Sequence, residues 1–171
     1  MDAGTHLFVG VLTATALPSF SLSQKLLVVL FALLPDAFEG LDYLKMREIS
    51  TRPHHEVKKK DFVKLGIKVR QSVFMMPYFL LHSLVAVGIF FILSLCFNWP
   101  MVYVVMWCSH ILIDIPSHKQ ALGIRLYYPF SHWHAKGKFD WWSLPILKDK
   151  HILGYWAILL TITLFLVQKF W

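Results

Sequence analysis

Charged side chains are scarce in this chain of 171 residues, of which only 16% are Asp, Glu, Lys or Arg and 57% are hydrophobic. A soluble domain of this size does not need the several long apolar runs, so the composition indicates a polytopic membrane protein. Cysteine is equally rare. Cys96 and Cys108 form no CxxC pair, so neither a dithiol redox motif nor a thiolate metal site is indicated.

The N-terminus lacks the basic residues that begin a secretory signal. Its first six residues, MDAGTH, include an acid but neither Lys nor Arg. The segment TATALPS at 13–19 is therefore not expected to be a cleavage site, although its small residues resemble one. Internal repeats and low-complexity tracts are also lacking, which favours a single membrane-embedded domain over residues 1–171.

The apolar runs predict an all-α bundle of about five membrane helices. Residues 73–99 contain one ionisable side chain, His82, and at about 1.5 Å per residue they exceed the roughly 30 Å thickness of the hydrocarbon core. The first two candidate helices, at 7–17 and 26–34, are short. We expect them to form a hairpin that either crosses the bilayer or re-enters it. The other candidate helices are residues 7–17, 26–34, 101–115 and 151–170.

Basic residues indicate the orientation of the bundle. Residues 41–72 contain nine of the 17 Lys and Arg, and residues 117–150 contain six. The positive-inside rule then places the N-terminus and both loops in the cytoplasm and the C-terminus outside, for a protein integral to the cytoplasmic (inner) membrane. The net charge of +7 is explained by orientation and by affinity for anionic membrane lipids. No nucleic acid is expected as a partner, and the oligomeric state is left open.

A few ionisable residues lie within or beside the apolar spans, where they are energetically costly and mark function by default. In the predicted topology, all of them lie near the cytoplasmic ends of their helices. Their convergence predicts a metal site at that face of the membrane. The candidate ligands are His6, Asp36, His82, His110, Asp114 and His118.

The stretch CSHILIDIPSH at 108–118 contains three of these candidates. Helical positions four apart differ by about 40° in direction and about 6 Å along the axis. His110 and Asp114 can therefore bind one ion or bridge two. Pro116 is expected to kink or end the helix, so His118 reaches the same ion only if the chain turns back.

The ligand types indicate which metal and which chemistry to expect. Imidazole and carboxylate without thiolate suit zinc, and also manganese or iron. A catalytic ion activates water and polarises a substrate. At the cytoplasmic interface, the expected substrate is a lipid or another phosphoester whose polar group reaches the site.

Two non-enzymatic interpretations compete with that of a metal-dependent hydrolase. The same His and Asp side chains are expected in a metal or proton transporter, or in a scaffold where they only join helices by hydrogen bonds. Asp36, which follows Pro35, can also serve as a helix cap. A transport pathway needs polar residues as far as the opposite face, whereas the outer halves of the predicted spans are nearly all apolar. This favours a blind-ended site over a pore.

Five segments, in this order, resemble the YdjM-like membrane-bound metal-dependent hydrolases. That family is described as inner-membrane hydrolases and is distantly similar to zinc-dependent phospholipase C, in which His and Asp from helices hold a zinc cluster. The resemblance implies phosphoester hydrolysis. The segments are THLFVG at 5–10, LLPDAFEG at 33–40, FLLHSL at 79–84, SHILIDIPSH at 109–118 and YYPFS at 127–131.

The resemblance covers most of the chain and implies site residues at matching positions. The chain departs from the family after Asp36, where a second Asp or His is expected soon afterwards and Glu39 stands one helical turn on. Glu39 is thus expected to substitute for that second Asp or His. The expected catalytic residues are then Glu39, His110 and Asp114. Leu81 stands where the family usually has a threonine. The matching pairs are Thr5 and His6, Pro35 and Asp36, His82 and Ser83, and His110 and Asp114.

The two basic loops contain further candidates. In RPHHEVKKKDF, His54 and His55 are either extra ligands or part of a solvated surface. In the second loop, the aromatic run YYPFSHWHAKGKFDWW favours a belt at the lipid headgroups over a lid in which Arg125 holds a phosphate. His132 and His134 are weaker candidates. Lys45, Arg52 and Pro53 have the spacing of a metal-free lipid phosphatase motif, but the rest of that motif is missing.

Overall fold

The computed structural model describes residues 3–38, 68–69, 72–118 and 123–138 and the single positions 161 and 165. The regular secondary structure of these residues is helical, with no strand; the segment 123–138 is irregular, and one isolated antiparallel bridge joins Ile124 to Ala135. The all-α prediction is confirmed for this part of the chain. The α-helices are α1 (Ala3–Thr15), α2 (Leu22–Leu33), α3 (Met76–Leu81), α4 (Leu84–Cys96) and α5 (Val102–Asp114).

Helices α1 and α2 form the predicted hairpin. Ser21 caps the start of α2: its hydroxyl accepts from the Gln24 amide, and the Gln24 side chain accepts from the Ser21 amide. This reciprocal pair satisfies two of the backbone donors that a helix start leaves open. The helices approach closely at Gly10, where a Cβ atom would lie 2.9 Å from the Ala32 side chain. The loop around Pro18 thus turns the chain back on itself.

The run at 73–99, predicted as one helix, is divided into α3 and α4. Ser83 is responsible for the break, because its hydroxyl donates to the Leu80 carbonyl and accepts from the Ala86 amide, so that it caps the start of α4. Side-chain bonds of this kind compete with the helical backbone pattern. A hydropathy count does not detect them, which is why the prediction of a continuous helix was wrong.

Length and hydropathy limit which of the described helices can cross a bilayer. None of those in the described ranges suffices alone to cross a bilayer. The consecutive segments Val73–Leu81 and Leu84–Cys96, bent by 53°, are long and apolar enough when taken together.

Helix α5 lies at the centre of the fold. Nine of its 13 residues are buried, and it packs against both α2 and α4. The Phe31 ring of α2 stacks on Phe90 of α4 at 4.7 Å and on Tyr103 of α5 at 5.2 Å, measured between ring centroids. Aromatic pairs at this spacing add to the free energy of burial. They fix α5 against its neighbours and hence fix the position of the residues at its end.

Helix α5 ends where Pro116 predicts. After Asp114 the chain forms a short 3-10 turn, Ile115–Ser117, and then becomes extended at His118. The segment 123–138 packs on this turn: the Gly137 amide donates to the His118 carbonyl at 2.9 Å, and the Lys138 amide donates to the Pro116 carbonyl at 3.0 Å. A Cβ atom at Gly137 would lie 2.7 Å from the Pro116 oxygen, so only glycine permits this approach. The candidate helix at 151–170 lies outside the described residues apart from positions 161 and 165.

Candidate metal centre

Four of the predicted ligands meet in one buried group. Asp36 lies on the 3-10 turn Leu34–Phe38 that follows α2, His82 lies directly after α3, and His110 and Asp114 lie one turn apart on α5. Each residue offers one ligand atom, and the four atoms all lie within 4.8 Å of one another. The structure thus brings together side chains that are up to 78 positions apart in sequence.

Four distances define the group. The Oδ1 atom of Asp36 lies 3.6 Å from Nε2 of His82 and 3.3 Å from Nε2 of His110. The Oδ2 atom of Asp114 lies 3.5 Å and 3.4 Å from the same two nitrogens. These separations exceed the usual 2.7–3.2 Å of a hydrogen bond. Each carboxylate thus faces both imidazoles without a close hydrogen bond to either.

The spacing fits donors arranged around a small ion. Bonds of roughly 2.0–2.1 Å from zinc to nitrogen or oxygen place tetrahedral ligand atoms roughly 3.3 Å apart. The four carboxylate-to-imidazole distances, 3.3–3.6 Å, are close to that value, and all four ligand atoms lie within 4.8 Å of one another. Two imidazoles and two carboxylates also neutralise a divalent cation. The residues present therefore fit a divalent metal.

Both histidines are oriented by their second ring nitrogen. The Nδ1 atom of His82 donates to the Tyr78 carbonyl at 3.0 Å, and Nδ1 of His110 donates to the Ala32 carbonyl at 2.6 Å. Because Nδ1 carries the proton, Nε2 directs a lone pair at the carboxylates. Within the described residues, neither Nε2 atom has a hydrogen-bond partner although both are buried. Histidines that bind metals are usually held in one tautomer in this way, with the lone pair of the other ring nitrogen directed at the ion.

Asp36 is the least buried member of the group, with 8% of its side chain exposed. Burial raises the pKa of its carboxyl group, but attraction to the facing His110 and His82 imidazoles, in their protonated form, outweighs that effect and holds the pKa below its usual range. An ionised carboxylate is the form that binds a cation. Asp36 is thus ready to act as a ligand at neutral pH.

His6 lies beside the group and contacts two of its members. Its Nε2 atom donates to Oδ1 of Asp114 at 3.1 Å, and its ring stacks on His110 with centroids 3.5 Å apart. It is not one of the four residues whose ligand atoms are mutually within 4.8 Å. By holding one oxygen of Asp114, His6 turns the other oxygen towards the two imidazoles. From this contact we predict that His6 orients the ligand Asp114, and its predicted role as a metal ligand stays a prediction.

Replacing His6 with alanine is expected to weaken metal affinity about 10- to 100-fold, as is typical when the partner of a ligand is lost. Full occupancy should still be reached at high metal concentration. In His6→Gln the amide nitrogen replaces Nε2 as the donor, so most of the affinity should return. Titration of purified protein with zinc in competition with a chromophoric chelator measures both effects. An affinity unchanged in His6→Ala would contradict the orienting role.

His118 is turned towards the end of α5 by Pro116. Its Nδ1 atom donates to the backbone carbonyl of Asp114 at 2.8 Å, and the ring is buried. It stands outside the set of four. Its observed contact fixes the chain just after the ligand Asp114, and its predicted role as a ligand stays a prediction.

The remaining candidates divide by location. Glu39, His54 and His55 lie outside the described residues. His132 and His134 lie on the segment 123–138 and do not belong to the group of four.

Sequence reasoning did not find the two carbonyls that orient the histidines. Tyr78 precedes His82 by four residues, a spacing that allows a side chain to bond back to its own helix. That signal was present in the sequence. The Ala32 carbonyl is 78 residues from His110, and no local pattern connects the two.

Comparison with known proteins adds no relative: no family profile, curated protein or solved structure gives a significant match. The resemblance to the YdjM-like hydrolases therefore stays a prediction based on the five segments.

Proposed function

We propose that this protein is an integral-membrane, metal-dependent hydrolase that acts on phosphoester or lipid-type substrates at the cytoplasmic interface. One observation carries the proposal: two histidines, each oriented by a backbone carbonyl, face two carboxylates at the spacing of metal ligands. Hydrogen bonding that is only structural does not require four potential ligand atoms to converge in this way.

Zinc is the metal that we propose, since its preferred nitrogen and oxygen ligands match this set, and manganese or iron are the alternatives. When bound, such an ion lowers the pKa of water and polarises an ester oxygen. Asp36, His82, His110 and Asp114 would hold it. Oδ2 of Asp36 is buried and has no hydrogen-bond partner among the described residues. This oxygen can therefore accept a hydrogen bond from the attacking water and orient it.

A membrane location is supported by the outer surfaces of the helices. On α4, Ile89, Ile92 and Leu95 are each more than half exposed within the described residues, and on the hairpin the same holds for Phe8 and Leu26. Soluble monomers rarely expose large apolar patches. A bilayer would cover these faces while leaving the polar group in the interior of the bundle.

The position of the group favours a substrate that reaches it from one end of the bundle. His6 lies near the start of α1 and Asp36 just after α2, so the hairpin brings both to its open end. His82 precedes α4 and Asp114 ends α5, which places them at the same end. With the orientation predicted from basic residues, this end faces the cytoplasm. A headgroup ester of a lipid is therefore a suitable substrate.

The activity can be tested with purified protein in detergent on a panel of phospholipids and generic phosphodiesters. We expect turnover that a chelator abolishes and zinc restores, and that Asp36→Asn lowers by about 100-fold or more. His134→Ala, outside the group, is the matched control and should retain activity. Turnover that is indifferent to the chelator would redirect attention to a metal-free lipid phosphatase. Stoichiometric metal without turnover on any ester would favour a transporter.

A further inference from the structure

One hydrogen bond joins α5 to the end of α3, beside the candidate ligand His82. The indole N–H of Trp107 donates to the backbone carbonyl of Leu81 at 2.8 Å, and His82 is the next residue along the chain. We propose that Trp107 is a positioning residue, whose hydrogen bond holds His82 at ligand distance from the carboxylate of Asp114. The inference rests on the proposed function, because it concerns how the same site holds its metal.

Both partners of this hydrogen bond need it. The carbonyls in the last turn of a helix have no amide donor within that helix, and Leu81 is the last residue of α3. An indole N–H can only donate and usually finds a partner when it is buried. Trp107 is 7% exposed. Removing the N–H would therefore leave the Leu81 carbonyl without this donor, at the residue that precedes a candidate ligand.

Helix α5 bonds in the same way to the other segment that brings a ligand. Nδ1 of His110 donates to the Ala32 carbonyl at 2.6 Å, and Asp36 follows Ala32 by four residues. Trp107 precedes His110 by three residues, about 4.5 Å along the helix axis. Two successive turns of α5 thus each hold one neighbouring segment through a backbone carbonyl. The helix that carries His110 also fixes the positions from which His82 and Asp36 reach the ion.

A second hydrogen bond of His82 orients its ring within α3. Nδ1 of His82 donates to the Tyr78 carbonyl at 3.0 Å, and this bond cannot hold α3 against α5. The distance from Nε2 of His82 to Oδ2 of Asp114, 3.5 Å, depends on how the two helices lie against each other. The bond from Trp107 joins these helices and therefore restrains that distance.

The ring of Trp107 also packs, and that role is separable from the hydrogen bond. Its centroid lies 5.4 Å from that of Phe90 on α4 and 6.2 Å from that of Phe31 on α2. In Trp107→Phe an aromatic ring remains and the donor is lost. In Phe90→Leu the donor remains and one ring contact is lost. The two variants thus distinguish positioning from packing.

The test is titration of purified full-length protein with cobalt(II), whose absorption spectrum reports the number and geometry of its ligands. Trp107→Phe is expected to weaken cobalt affinity about tenfold or more, as when the partner of a ligand is lost. Its cobalt spectrum should shift from that of wild type towards that of His82→Ala, because His82 is no longer held at ligand distance. Phe90→Leu, the matched control, should unfold at a lower temperature and keep the wild-type affinity and spectrum.

A further variant keeps the donor and removes the ring. Trp107→Gln places an amide donor the same number of bonds from Cα as the indole nitrogen, so it should bind cobalt more tightly than Trp107→Phe. Wild-type affinity and spectrum in Trp107→Phe would overturn the inference, and so would weaker binding in Trp107→Gln than in Trp107→Phe. Wild-type protein that binds no cobalt would overturn the metal site and this inference with it. Bound cobalt without turnover of any ester would overturn only the proposed activity.

Discussion

Replacing both His110 and Asp114 with alanine is expected to reduce bound metal from about one ion per chain to below roughly a tenth. The two residues supply two of the four ligand atoms, and Nε2 of His110 lies 3.4 Å from Oδ2 of Asp114. Metal analysis of purified protein by mass spectrometry measures the change. Because a ligand that binds only the folded state stabilises it, chelation should also cost wild type about 4 kcal/mol when free metal is about 1,000-fold above Kd.

The same double variant distinguishes a metal site from a polar scaffold. Its thermal unfolding should not respond to chelator, whereas that of wild type should. His134→Ala serves as the control, since His134 lies outside the group of four, and should keep both its metal and its response. Wild-type protein that contains no stoichiometric metal after growth with zinc, manganese and iron would contradict the site. So would metal content that is unaffected by the double substitution.

Replacing Gly10 with valine is expected to destabilise the protein by about 3 kcal/mol, at the upper end of the usual cost of overpacking. A Cβ atom at this position would meet the Ala32 Cβ at 2.9 Å and the Val29 Cα at 3.1 Å. A backbone atom cannot move aside as a flexible side chain can. Helix α2 would therefore have to shift away from α1. Thermal or denaturant unfolding followed by circular dichroism measures the loss.

The shift of α2 should also reach the metal centre. Ala32 carries the carbonyl that accepts from Nδ1 of His110, so moving it should weaken metal affinity about 10- to 100-fold. Gly88→Val is the matched control: this glycine is also helical, and a Cβ atom there would meet nothing within 4 Å. Its stability should stay within about 0.5 kcal/mol of wild type. If Gly10→Val and Gly88→Val changed the free energy of unfolding equally, the contact between α1 and α2 at Gly10 would not be closely packed.

Local chemistry made part of this fold predictable. Pro116 lacks an amide hydrogen, and the structure ends α5 two residues before it, at Asp114. Ser21 and Gln24 stand at the spacing of a capping box and begin α2. Such features depend on neighbours within about one helical turn, so the sequence contains all the information that they need.

The break between α3 and α4 shows where hydropathy alone misleads. The run at 73–99 is apolar enough for one helix, yet Ser83 bonds to two backbone groups and ends the first segment. The Trp107 indole on α5 also donates to the Leu81 carbonyl at 2.8 Å, which satisfies a group that the break leaves open. That partner is 26 residues away and is visible only in the folded chain. The break places His82 at a helix end, where its ring faces the site.

The sequence by itself identified which residue types would converge, because a histidine or aspartate in an apolar helix is costly unless it has partners. His82, His110, Asp114 and Asp36 were all found in this way. Only the tertiary structure separated these four from His6, which bonds to an oxygen of Asp114 instead of joining the set. It alone revealed the Ala32 carbonyl that orients His110. The physical reason is that the cost of burying a charge is local to one residue, whereas the direction of a ring depends on contacts between helices distant in sequence.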